Sequence, residues 1–178
     1  LRVFRPGDAN EVAEAYRTVL SDPSMPTAMV FTRQALPTLD RTKFQPASGV
    51  HRGGYVLLDS PGDPELILIG TGSELSLAVK AGEKLAADGV AVRVVSLPCW
   101  ELFDDQEQAY QQEVFPPCVT ARVAVEAAFS QGWEKYIGPQ GRFVGMTGYG
   151  ASAPYQQLYK EFGITVDQIV AEAKEALA

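Results

Sequence analysis

Four stretches of the 178-residue sequence carry residue types that can do chemistry. The first is MVFTRQALP, Met29 to Pro37, where an apolar run from Thr27 to Phe31 leads into Thr32, Arg33 and Gln34. A guanidinium at the end of a strand that reads as buried is costly without an anionic partner. It either pairs with a carboxylate, for instance one in a neighbouring domain, or grips a phosphate or carboxylate ligand bidentately. Open parallel sheets bind ligands beyond the carboxyl ends of their strands, which suits the second reading, and both stay open. The second stretch is GTGSEL, Gly70 to Leu75, which follows an apolar run and opens a helical pattern. Backbone amides at such a turn can cradle a phosphate. A dinucleotide fingerprint would need a glycine where Leu75 stands and an acid where Ser96–Leu97–Pro98 stand, so a plain turn capped by Ser73 is favoured. TGYGASAP, Thr147 to Pro154, obeys the same logic, with Ser152 as the expected cap. In SLPCWELFDDQ, Glu101, Asp104 and Asp105 could do acid–base work, but they are better placed to charge the start of a short helix. His51 has no Ser or Cys nucleophile motif to serve. Cys99 and Cys118 form no CxxC pattern, which speaks against a disulfide framework and against a thiolate metal site.

These residues need elements to hold them. Asp8 and Glu11 have capping-box spacing, and Val12, Tyr16, Val19 and Leu20 then share one helical face until Pro23 and Pro26. Thr27 to Thr32 reads as a short buried strand. Residues 34 to 50 are polar, interrupted by Pro37, Pro46 and Gly49, and read as a linker. Strands are then expected at 55–58, 65–70, 90–97, 122–126 and 143–146. Helices are expected at 73–87, stopped by Gly89, at 104–112, from Ser152, and at 166–177 with Thr165 as cap. The strands are continuous apolar runs that alternate with helices. That predicts an α/β fold, a three-layer α/β/α sandwich on a mostly parallel, mixed sheet.

The net charge of −7 gives no electrostatic footprint for nucleic acid, and no apolar run is long enough to span a bilayer as a helix. With 46% hydrophobic residues the chain can bury one good core and part of a second. Two reduced cysteines and no signal-peptide pattern give the expectation of a cytoplasmic protein. The start at Leu1, directly in strand-like material, reads as an internal cut.

Taken in order, FTRQALP, GGYVLLDS, ELILIGTGSELSLAV, VRVVSLPCWELF, RVAVEAA, FVGMTGYGASAP and EFGITVDQIVAEAK resemble successive blocks of the C-terminal part of transketolase. The resemblance runs the length of the chain. It implies that residues 1–42 are the end of a pyrimidine-binding domain, 43–52 a linker, and 53–178 a complete C-terminal domain. It implies a homodimer that uses thiamine diphosphate and a divalent cation (Mg2+ or Ca2+) to move a two-carbon ketol unit from a ketose phosphate to an aldose phosphate. The cofactor-activating glutamate, the metal ligands and the catalytic histidines of that family belong upstream of Leu1. No catalytic, cofactor-binding or metal-binding residue is therefore expected here, and none of these groups is expected to bind this piece alone. One residue carries over from the family's Ser-Arg-Gln element, read here as Thr32–Arg33–Gln34. Arg33 would bind the sugar phosphate. Deoxyxylulose-phosphate synthase and oxo-acid dehydrogenase β subunits end in a similar domain but lack the RQ-x-LP continuation. A non-catalytic dimerisation or small-ligand regulatory module, with a ligand at Gly70–Ser73 or Gly148–Ser152, is the rival of another class. The strand at 27–32 would lie against the C-terminal domain, pair with another molecule, or show an open edge.

Overall fold

The computed structural model describes all residues from Leu1 to Ala178. Five strands make the main sheet: β3 (Tyr55–Asp59), β4 (Leu66–Gly70), β5 (Val92–Ser96), β6 (Arg122–Val125) and β7 (Arg142–Val144). Their order is β3-β5-β4-β6-β7. Four of them run parallel, and β3 lies antiparallel on β5. The sheet is thus mixed and mostly parallel, as the runs of Leu, Ile and Val imply.

Successive residues of the central strand serve opposite faces. Leu66 and Leu68 join one core with α2 (Leu75–Ala87) and α7 (Val166–Leu177), while Ile67 and Ile69 join a second. That second core holds Phe103 of α3 (Trp100–Asp104), Tyr110 and Val114 of α4 (Gln108–Val114), and Tyr136 of α5 (Glu134–Ile137). Helices therefore cover both faces, and the architecture is the expected α/β/α sandwich. Gly89 takes φ +91° just beyond α2, a conformation that stops the helix at little cost because glycine has no Cβ. Thr165 caps α7 by accepting the Gln168 backbone N–H at 3.2 Å.

Several local expectations are overturned. The helix expected over 104–112 is two short ones, α3 and α4, split by residues 105–107. Ser73 does not cap α2; a 3-10 turn, Gly72–Glu74, precedes that helix, and the Ser73 hydroxyl donates to Glu74 Oε1 at 2.6 Å instead. Ser152 does not cap α6 (Tyr155–Glu161) either, since Pro154 takes the cap position. The residue before a proline is held out of the α region, so Ala153 cannot be the first helical residue that a Ser152 cap would require.

The first forty residues hold the largest departure. β1 (Arg2–Phe4) and β2 (Thr27–Met29) pair in parallel as a separate two-stranded sheet, bridged by α1 (Ala9–Ser21). The apolar face of α1 is only partly covered: Val12 and Val19 are half-buried, Val19 against the core, while Tyr16 is 48% exposed and Leu20 77%. The buried residues are Glu11, Ala15 and Thr18, which turn toward the main sheet and a 3-10 helix at Ala47–Arg52. Phe4 and Ala15 are fully buried in the same core as Leu66 and Leu68. No helix is long and apolar enough to cross a membrane.

Candidate functional site

β2 ends at Met29, three residues earlier than expected. Its only neighbour is β1, and β1 leaves the ladder at Arg5, whose N–H donates to Pro98 O, and at Pro6, which has no N–H. The backbone of Val30 makes one last bond, to Phe4 O at 2.8 Å, and the chain then runs without regular structure to Asp40. Val30, Phe31, Thr32 and Arg33 are all exposed, so the guanidinium is not at a buried strand end. Thr32 Oγ1 accepts the Gln34 N–H at 3.1 Å and folds the backbone around Arg33. The same loop borders a cleft of about 260 Å3 at the start of α1, lined by Pro6, Ala9, Phe31, Thr32, Gln34 and Leu36 among others.

Arg33 stands apart from every other arginine. Arg2 pairs with Asp22, Arg5 with Glu126, Arg17 with Glu14, Arg41 with Asp8, Arg93 with Asp59 and Arg142 with Glu172. Arg52 lies over the Tyr110 ring, and Arg122 donates to backbone carbonyls. Arg33 has no ion pair, side-chain hydrogen bond or ring contact within the chain. The alternative of a carboxylate partner is not realised inside residues 1–178, and the side chain is left with its full set of donors.

The turn at Gly70–Ser73 sits where β5 and β6 flank β4, the switch point at which doubly wound sheets hold ligands. Here the chain itself occupies much of the crevice, leaving a cavity of about 180 Å3 bordered by Arg5, Thr71, Pro98, Trp100 and Glu126 among others. Gly72, at φ +54°, donates its N–H to Arg5 O at 2.8 Å, and Thr71 Oγ1 donates to the same carbonyl at 3.3 Å. Arg5 Nε lies 2.9 Å from Glu126 Oε1, and Arg5 Nη2 lies 3.9 Å from Glu74 Oε2. Glu126 Oε2 accepts the Trp133 indole N–H at 2.8 Å, and Glu74 Oε1 accepts the Tyr159 hydroxyl. The amide that would cradle a phosphate is thus already bound, and two carboxylates line the site. That arrangement repels anions.

The other flagged residues hold the structure together. Glu101 accepts the Val3 N–H at 3.1 Å. Asp104 accepts the Tyr136 hydroxyl at 2.9 Å and pairs with Lys135 at 2.6 Å, while Asp105 is exposed. These carboxylates do not converge. His51 Nε2 lies 2.6 Å from Glu14 Oε2 on α1. Burial pushes the Cys99 thiol up to about 11, so it is no nucleophile at neutral pH. Gly148 to Ser152 form an exposed loop. No group of three or more His, Cys, Asp or Glu side chains comes together as a metal-ligand set.

Sequence reasoning missed a buried polar network beside the loop of Arg33. Glu11, on the inner face of α1, accepts from Gly7 N–H, the Tyr55 hydroxyl and the Ser96 hydroxyl, each at 2.7 Å. Asp8 caps α1 by accepting the Glu11 N–H at 2.8 Å and binds Arg41 Nη2 through both oxygens at 3.0 and 2.9 Å. Arg41 Nη1 donates to the Tyr55 hydroxyl at 3.0 Å. The Asp8–Glu11 spacing was the one visible signal, but it reports a cap and nothing of what lies beyond it.

Burial raises the Glu11 carboxyl above its ordinary 4.5, against the pull of its three donors and with help from Asp8. A raised carboxyl stabilises the fold fully below that ordinary value. The contribution is lost as pH rises toward the folded-state value, because only the unfolded chain has already released its proton. The stability of the wild type relative to Glu11→Gln should therefore decline as pH rises from about 4.5 toward neutrality. Urea unfolding of both proteins across that range checks it, and a pH-independent difference would rule it out.

Residues 53–165 match the family model for the transketolase-like TK C-terminal domain. The chain is 51% identical over 176 residues to transketolase 7 of Craterostigma plantagineum, covering 97% of this chain and 26% of that protein. Among solved structures it superposes on transketolase from Leishmania mexicana with a TM-score of 0.89 at 43% identity, covering 99% of this chain and 25% of that one. It superposes with a TM-score of 0.88 at 32% identity, and the same coverage, on transketolase from Pichia stipitis in complex with sedoheptulose-7-phosphate. The chain thus spans about a quarter of the length of the relatives it matches. The mixed sheet, its two helical layers and the family match agree, and the chain belongs to the transketolase-like C-terminal domain family.

Proposed function

We propose that this chain is the C-terminal part of a transketolase and that its direct contribution to ketol transfer is Arg33, a clamp for the phosphate of the sugar substrate. In this reading residues 1–42 end the pyrimidine-binding domain, 43–52 connect, and 53–178 form the C-terminal domain. The full-length protein is a cytoplasmic homodimer that uses thiamine diphosphate and a divalent cation. It passes a two-carbon unit from a ketose phosphate to an aldose phosphate. The observation that carries the proposal is the isolation of Arg33. It is the one arginine without a partner, and it stands exposed on an open loop beside a cleft. A planar fork of free N–H donors suits a phosphate oxygen pair better than a single ammonium would. In this reading cofactor and metal chemistry come from the rest of the protein.

The test is a coupled ketol-transfer assay with thiamine diphosphate and Mg2+. The full-length protein should turn over ketose and aldose phosphates, while residues 1–178 alone should not. Activity in the isolated chain, or none in the full-length protein, would overturn the assignment.

A further inference from the structure

Arg33 has no partner of its own, so something else must hold it in place. The loop that carries it is fixed at two points. On the β2 side Val30 N–H donates to Phe4 O at 2.8 Å. On the far side Leu39 N–H donates to Asp8 Oδ2 at 3.0 Å, and Leu39 O accepts from Asn10 Nδ2 at 3.1 Å. Two residues later Arg41 forks onto both oxygens of Asp8. Between Phe31 and Thr38 the only side-chain hydrogen bond is Thr32 with Gln34. One carboxylate, 2% exposed, therefore caps α1 and also closes the loop that presents Arg33.

From this geometry we propose that Asp8 is a positioning residue for substrate-phosphate recognition, acting through Leu39 and Arg41 on the placement of Arg33. The proposal rests on the reading of Arg33 as the phosphate clamp. Asp8 is assigned as a support for the loop, not as a phosphate ligand. It holds the loop's far end against the N-terminus of α1, so that Thr32, Arg33 and Gln34 stay beside the cleft. A clamp on an untethered loop would have to be ordered at the moment of binding, and that ordering is a cost set against affinity. Asn is as good a helix cap as Asp, so Asp8→Asn keeps α1 but replaces the charged, two-oxygen grip on Arg41 with a neutral amide.

The experiment compares kcat/KM for a phosphorylated and an unphosphorylated acceptor in the full-length holoenzyme. Arg33→Ala should lower that ratio about 10- to 100-fold, and Asp8→Asn about 3- to 10-fold, chiefly through KM. Asn10→Ala, which removes the donor to Leu39 O and a long 3.5 Å bond to Asp8 Oδ2 but leaves the capping bond from Glu11 N–H to Asp8 Oδ1, should shift the ratio the same way. On an Arg33→Ala background Asp8→Asn should change the ratio no further, because both would act through one contact. A merely structural role for Asp8 would lower both rates together and leave the ratio alone. If Asp8→Asn fails to fold, Arg41→Lys and Asn10→Ala carry the comparison. Folded Asp8→Asn and Asn10→Ala proteins with the wild-type ratio, beside an Arg33→Ala protein that has lost it, overturn the positioning role and leave the clamp standing. An unchanged ratio in Arg33→Ala removes both.

Discussion

Arg5→Ala should destabilise the protein by about 3 kcal/mol, near the low end of the cost of stripping the counter-ion from a buried charge. The low end is appropriate because the Arg5 side chain is 31% exposed and water can enter where it stood. What it leaves behind is not exposed: the side chains of Glu74 and Glu126 are 1% and 9% accessible. Glu126 keeps one donor, the Trp133 indole, while Glu74 Oε2 has no hydrogen-bond partner even with Arg5 present. Two carboxylates at the carboxyl ends of β4 and β6 would then face each other across the emptied crevice. Lysine is a poor substitute, since Arg5 reaches Glu126 through Nε and Glu74 through Nη2, and one ammonium cannot occupy both places. Urea unfolding reports the result, with an unchanged m-value showing that stability alone has moved. A loss below about 1 kcal/mol, the range of an exposed ion pair, would show that water already screens this site.

Arg33→Ala should leave folding almost untouched and cost the full-length protein about 10- to 100-fold in kcat/KM for sugar phosphates. A surface side chain with no partner contributes little to stability, so the melting temperature should stay put. The catalytic loss comes from one charge-assisted contact, worth about 1.5–3 kcal/mol when a charged group is involved. Unphosphorylated ketoses offer no anion to grip, so their rates should fall far less, and cofactor affinity should persist. Equal losses for phosphorylated and unphosphorylated substrates would refute the clamp. Arg33→Lys makes a useful control, because a point charge without the fork should recover only part of the discrimination.

The main sheet was legible because its strands are buried on both faces and read as unbroken apolar runs. Leu66 to Ile69 could hardly be anything else. The end of the chain was equally plain, since Thr165 and the periodic residues after it fix α7 locally. What failed is mostly non-local. Tyr16 and Leu20 lie on an apolar stripe of α1, but the helix turns Glu11 inward, because Tyr55, Ser96 and Gly7 supply donors from up to 85 residues away. No periodicity can announce a buried carboxylate whose partners lie on other elements. Ser73 fails as a cap for a local reason: the 3-10 turn Gly72–Glu74 precedes α2, and the hydroxyl serves the adjacent Glu74. The family resemblance pointed to Arg33, but the strand around it read as too long. Where β2 stops depends on where its partner β1 ends, because beyond Phe4 the Arg5 N–H turns to Pro98 O and Pro6 has no N–H.

The crevice occupied by Arg5 bears on how the protein can be divided. The family boundary falls at residue 53, and a chain begun there would look complete by sequence. It would nonetheless lack the guanidinium between Glu74 and Glu126, and the Phe4 ring buried with Leu66 and Leu68. Anyone transplanting this domain onto another protein, or swapping it between relatives, must carry residues 3 to 15 along with it, since Glu11 and Ala15 are buried against the same sheet. The smallest exchangeable part is discontinuous in sequence, a short leading segment and a distant sheet that are separable only on paper.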